Sequence, residues 1–225
     1  MPDYTPQVVA VIGSAPADVL AYYNDAVFPV YPDSRINCLS FDKARDYSEK
    51  MRGIAVVDRL GLWMLDDAND SNLFAYISKG PCARMIIHFS HDPEPQMAFS
   101  SLGRFLASMH EAGKRGLDID EIEKEPISIP LDQSIHELAA ESSDDATFVL
   151  TTYLPICSAL QKETKDRLLS HDDFFVREAF AAFIARSPSA EDVAIAEQLS
   201  NDRHPQVSRA GKTAVNATKR KRYNG

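Results

Sequence analysis

Apolar positions along the chain change rhythm near its middle. Short β-rich runs occupy the first half: Ile54–Asp58, Leu60–Leu65, Asn72–Ser78, Arg84–Ser90 and Gln96–Phe99. Each suits a strand in length and in its Val, Ile, Phe, Tyr and Trp content. Turn residues separate them, notably Asp67-Ala-Asn-Asp-Ser-Asn72, Lys79-Gly80-Pro81 and His91-Asp-Pro-Glu-Pro95. Runs this close in sequence pair as an antiparallel meander. Helices are expected around it. Ser14, with Pro16 behind it, starts one running to about Phe28, and Ser40 starts another along Phe41, Ala44 and Met51. Ser100 or Ser101 caps a third, whose stripe is Leu102, Phe105, Leu106 and Met109 and whose stop is Gly113.

Beyond residue 130 every apolar pattern has helical spacing. Leu131, Ile135, Leu138 and Ala139 form one stripe, and Phe148 to Leu160 a second, kinked or split near Pro155. The pattern then repeats. Val176, Ala179, Phe180, Phe183 and Ile184 recur in phase as Val207, Ala210, Gly211, Ala214 and Val215. Polar turns precede both copies, Ser170–Phe175 and Asn201–Gln206, and Ser189 caps an intervening helix from about Ala190 to Ser200. Between the halves lies GLDIDEIEKEPISIP, polar, acidic and closed by Pro126 and Pro130. The expected organisation is therefore an α+β domain over 1–115, an acidic linker over 116–130 and an all-α domain over 131–225.

Two resemblances follow from these residues. The helical hairpin resembles a short HEAT repeat, and DDFFVREAFAAFIA (172–185) looks like that family's second-helix pattern. In the second copy Ser208 stands where Arg177 stands in the first, followed by Arg209. The segment 61–109, with Trp63 on a strand, the acidic turn Asp66–Asn72, Phe74–Ile77, Met85–Phe89 and Ser101-Leu-Gly-Arg-Phe-Leu106, resembles the SUKH (Smi/Knr-type) superfamily, a domain spanning about residues 10–112 here. The resemblance implies an antiparallel sheet flanked by helices and a binding fold with no shared catalytic constellation. Bacterial members of that family commonly neutralise a toxin.

Composition narrows the function. The chain of 225 residues carries 33 acidic and 24 basic side chains, a formal charge of −9. That balance disfavours a nucleic-acid partner, which requires cations to neutralise phosphate. Residues 1–130 hold 19 acidic and 12 basic side chains, and residues 131–225 hold 14 and 12. No apolar run is long enough to span a membrane, and Val8–Ile12 is too short for the core of a signal peptide. Cys38, Cys82 and Cys157 are odd in number, widely spaced and outside any CxxC, so reduced buried thiols and a cytoplasmic location are expected.

The densest polar clusters are Asp66, Asp67 and Asp70, and Asp92 with Glu94, all expected in loops at sheet ends. They are the candidate partner-binding residues of a non-catalytic immunity or adaptor protein that docks an acidic face on a basic toxin domain, with no cofactor and no metal. The alternatives are a metal-assisted hydrolase built from Asp66, Asp67, Asp70, His88 and Asp92, and a scaffold that binds through its helical repeats. His88 and His91 lie three apart and so face opposite sides of a strand. Tyr22, Tyr23, Phe28 and Tyr31 are expected in the core, and KRKR (219–222) as a solvated basic helix end.

Overall fold

The computed structural model describes residues 3–24, 38–66, 73–89 and 95–224, with side chains as far as 221. The chain divides into two compact units, Met1–Ile127 and Ser128–Gly225.

The first unit is built on an antiparallel meander, β1 (Leu62–Met64), β2 (Leu73–Ile77), β3 (Ile86–Phe89) and β4 (Gln96–Phe99), in sequential order. Register places Trp63 opposite Tyr76, Tyr76 opposite Ile86 and Ile86 opposite Phe99, with Phe74 opposite His88. These residues share one face of the sheet. All five residues of β2 are buried, so this central strand is covered on both faces. Four helices precede the sheet or lead into it: α1 (Thr5–Ile12), α2 (Ala17–Asn24), α3 (Phe41–Lys50) and α4 (Ala55–Leu60). Helix α5 (Leu102–Arg115) follows it.

Aromatic packing ties these elements together. Trp63 donates its indole N–H to the Tyr23 hydroxyl at 3.0 Å and meets the rings of Tyr23 and Phe41. Phe74 and Phe99 pack on Phe105 of α5. Burying each such ring is worth roughly 2–3 kcal/mol. Tyr76 donates to Asp18 of α2 at 3.0 Å, and Arg84 pairs with the other Asp18 oxygen at 3.3 Å.

The five expected strand runs yield four strands. Ile54–Asp58 is not a strand; its residues belong to α4 and its lead-in. Val56, Val57 and Leu60 are buried at a helical spacing, and two left-handed glycines, Gly53 and Gly61, bracket the turn. The Asp58 carboxylate accepts the Gly53 N–H at 3.0 Å. The weak β preference of two adjacent valines yields to this packing and capping. Ser101 does cap α5, accepting the Arg104 N–H at 3.2 Å, but the helix passes through Gly113 and stops at Gly116. Much of the expected linker is packed. Asp118 and Glu121 form a reciprocal capping box around a single 3-10 turn, and Ile119 and Ile122 are buried in the first unit.

The second unit comprises α6 (Asp132–Leu138), α7 (Asp144–Tyr153), α8 (Lys162–Leu169), α9 (Phe174–Arg186), α10 (Val193–Ser200) and α11 (Pro205–Asn224). Helix α7 gives way at Pro155 to a 3-10 turn, Leu154–Ile156. The Arg186 guanidinium donates to the carbonyls of Leu154, Pro155 and Cys157, filling acceptors that the broken helix leaves open. The two phased stripes pack on each other: α11 lies against both α9 and α10. Gly211 meets α10 so closely that a Cβ there would stand 2.4 Å from the Leu199 carbonyl carbon.

Candidate functional site

The expected docking residues belong to the sheet-end loops. Asp67, Asp70, Asp92 and Glu94 lie outside the described residues. Asp66 is described, and it is fully buried. Its Oδ1 accepts the Phe74 N–H, and its backbone bridges to Cys38. A carboxylate so placed ends a strand pairing inside the unit and is no part of an exposed acidic face. Next to it the Cys38 thiol donates to the Met109 sulfur at 3.1 Å. Burial, assisted by the Asp66 charge and opposed by a Tyr22 hydrogen bond, pushes the thiol up to about 11. Burial likewise raises Tyr22 and Tyr23.

His88 stacks on Phe74, with ring centroids 4.6 Å apart. Asp92, its expected companion in a hydrolase, is outside the described residues. Among the described residues no group of three or more His, Cys, Asp or Glu is arranged to hold a metal ion.

The described chain does present a polar cleft, and it lies in the helical unit. Two similar runs build it: Glu141-Ser142-Ser143-Asp144 entering α7, and Ser170-His171-Asp172-Asp173 entering α9. Ser143 caps α7 by accepting the Ala146 N–H at 3.4 Å, and Asp173 caps α9 by accepting the Phe175 N–H at 2.8 Å. The second Asp173 oxygen accepts the Thr147 hydroxyl at 3.1 Å, which joins the two helix starts. The Asp173 N–H donates to His171 Nδ1 at 3.1 Å, so that nitrogen is an acceptor.

Behind the cleft, Arg177 is buried. Its guanidinium donates to both Asp202 oxygens, at 2.7 and 3.2 Å, and to the carbonyls of His171 and Asp172, at 2.6 and 2.9 Å. The turn before α9 is thus held rigid from inside. The same guanidinium holds the Asp202 carboxyl below its ordinary range, with the His204 N–H assisting. Arg167 also lines the cleft, and it donates to the His136 carbonyl at 3.1 Å.

The cleft encloses about 280 Å³. That is at or below the floor of small-molecule pockets, roughly 300 Å³. Its rim carries the exposed carboxylates of Glu141, Asp144 and Asp172. The space and charge suit the cationic end of one long side chain. A signal for this site exists in the sequence: two Ser-x-Asp-Asp runs, Ser142–Asp145 and Ser170–Asp173. Read singly, each is only a helix cap, and their convergence is a tertiary fact.

The molecule is therefore a mixed α+β protein: an antiparallel four-stranded meander among helices, followed by a helical unit with an acid-rimmed cleft. Comparison with protein-family models, curated proteins and solved structures finds no match for the chain. Among the described residues no helix is long and apolar enough to cross a membrane.

Proposed function

We propose that this chain is a non-catalytic protein-binding protein, acting in the cytoplasm as an immunity protein that captures a basic toxin domain. The observation that carries the reading is the rigid, acid-rimmed cleft between the starts of α7 and α9. An Arg or Lys of the partner enters it and meets the carboxylates of Glu141, Asp144 and Asp172. Capture covers the partner's substrate site, and opposite charges accelerate the encounter.

Two resemblances support the reading. Helices before the meander and α5 after it are what the SUKH-like reading of about residues 10–112 expects. In the helical unit, α11 packed on both α9 and α10 is the arrangement expected of the HEAT-like reading.

The test uses the full chain as bait in a lysate of its native cell. Glu141→Gln, Asp144→Asn and Asp172→Asn are combined in one variant. The wild type is expected to retain a partner with a basic domain, and the triple variant to bind that partner about tenfold more weakly with a shallower salt dependence. Equal capture by both proteins, at low and high salt, would sink the assignment of the cleft.

A further inference from the structure

The helical unit separates its charges along the sequence. Residues 128–202 hold 14 acidic and 5 basic side chains, whereas residues 203–225 hold 7 basic and none acidic. Helix α11 carries most of that positive charge. Its inner face is Val207, Gly211, Ala214 and Thr218, all buried, at spacings of four, three and four residues. At 100° per residue, Arg209, Lys212, Lys219 and Arg220 fall on the opposite side, within one arc of the helix. All four are exposed. They extend over 12 residues, about 16 Å of helix at ~1.5 Å per residue step. Exposed Thr213 and Asn216 stand between them as hydrogen-bonding groups.

Among the described residues little pairs with this stripe. Lys219 reaches Glu197 at 3.9 Å, and no ion pair among the described residues involves Arg209, Lys212 or Arg220. Screening limits what a remote charge contributes, since the Debye length is about 8 Å at physiological salt.

Three features select the ligand. A protein partner needs an anchor point, such as the cleft between the starts of α7 and α9 offers to one side chain; this stripe has no cleft, and the large exposed hydrophobic side chains among the described residues are Val9, Ile54 and Phe175, none on α11. A membrane-surface helix needs an apolar face to insert, and the apolar face of α11 is spent on α9 and α10. Single-stranded nucleic acid is held by stacking on aromatic rings, and no described side chain of α11 is aromatic. Cations interleaved with polar donors on a straight helix are what a phosphodiester backbone requires. We propose that the outer stripe of α11, Arg209, Lys212, Lys219 and Arg220, binds the phosphate backbone of a nucleic-acid duplex without reading its sequence. The overall acidity that disfavours nucleic acid then acts as orientation, confining contact to this one face.

The test is fluorescence anisotropy of the full chain with a labelled 24-base-pair DNA duplex of random sequence and with an RNA duplex of equal length. Four phosphate contacts give a slope of log affinity against log salt of about −3.6, a loss of about 150-fold between 50 and 200 mM. The variant with all four residues changed to Gln is expected to lose binding at least about 100-fold at 50 mM salt, with unchanged circular dichroism. Arg209→Gln alone is expected to flatten the slope by about 1. Poly-glutamate, a single strand of the same length and vesicles containing phosphatidylserine serve as competitors. Absence of duplex binding at 50 mM salt, unchanged binding by the four-Gln variant, or equal competition by any of the three overturns the proposal. The cleft variant described above retains duplex binding, so failure at one site is distinct from failure at the other.

Discussion

Gly211→Ala puts the packing of the repeat to a direct test. A Cβ at this position meets the Leu199 carbonyl carbon and the Ser200 nitrogen at 2.4 Å and the Leu199 oxygen at 2.7 Å. These are backbone atoms, so no side chain can swing aside. Relief requires α10 and α11 to separate by about 1 Å, toward an ordinary contact of roughly 3.5 Å. The Ser208 hydroxyl bonds the Ser200 carbonyl at 2.7 Å across that contact, and separation loses it. Asp202, which anchors Arg177, lies two residues beyond Ser200 and moves with it. Overpacking costs about 1–3 kcal/mol and the lost hydrogen bond about 1. Alanine returns about 1 kcal/mol of helix propensity. The net loss is roughly 1–3 kcal/mol, which lowers the melting temperature of a unit of this size by about 5–15 °C. Thermal melts of the full chain, with hydrogen exchange of α10 and α11 amides, measure it. Gly103→Ala is the control: it sits on the exposed side of α5, where the nearest atom to the new Cβ is the Ser101 hydroxyl at 3.9 Å. It is expected to gain about 0.5–1 kcal/mol. If Gly211→Ala melts at or above the wild type, the close approach of these helices is wrong.

Other expectations follow from the buried polar groups. Arg177→Met leaves the part-buried Asp202 carboxylate and the His171 and Asp172 carbonyls without their donor and is expected to cost about 2–3 kcal/mol in urea unfolding. The Asp202 carboxyl is held below its ordinary value, so its stabilisation is present above that value and is lost as pH falls through the folded one. Asp202→Asn should therefore flatten the acid limb of the stability curve below about pH 4. The Cys38 thiol is raised to about 11, so its contribution is full below its unfolded value near 9 and is lost as pH climbs through 11. Cys38→Ser should shift alkaline unfolding monitored by circular dichroism. At pH 8 the Cys38 thiol stays protonated, so alkylation by iodoacetamide is expected only after unfolding.

Local chemistry made much of the fold legible in the sequence. The run Gln96–Phe99 became β4 with no change of bounds, and Asn72–Ser78 and Arg84–Ser90 contain β2 and β3. Ser101 starts α5, and the helix after Ser143 breaks at Pro155, since a hydroxyl cap and a missing N–H act within one turn of chain. The phased stripes at 176 and 207 gave the buried faces of α9 and α11 because period alone decides which side of a helix is apolar. What the sequence left undetermined depends on partners distant along the chain. Val56 and Val57 are strand formers by preference, and only the space left for them made α4 a helix. Asp66 in an acidic run reads as surface, yet the Phe74 N–H, eight residues on, took its carboxylate into the core. The two Ser-x-Asp-Asp caps became one cleft only when α7 and α9 brought their starts together, and Arg177 became its brace only once Asp202 reached it. Spacing and capping are local energies that can be read in order along the chain, whereas burial and convergence are set by residues that meet only after folding.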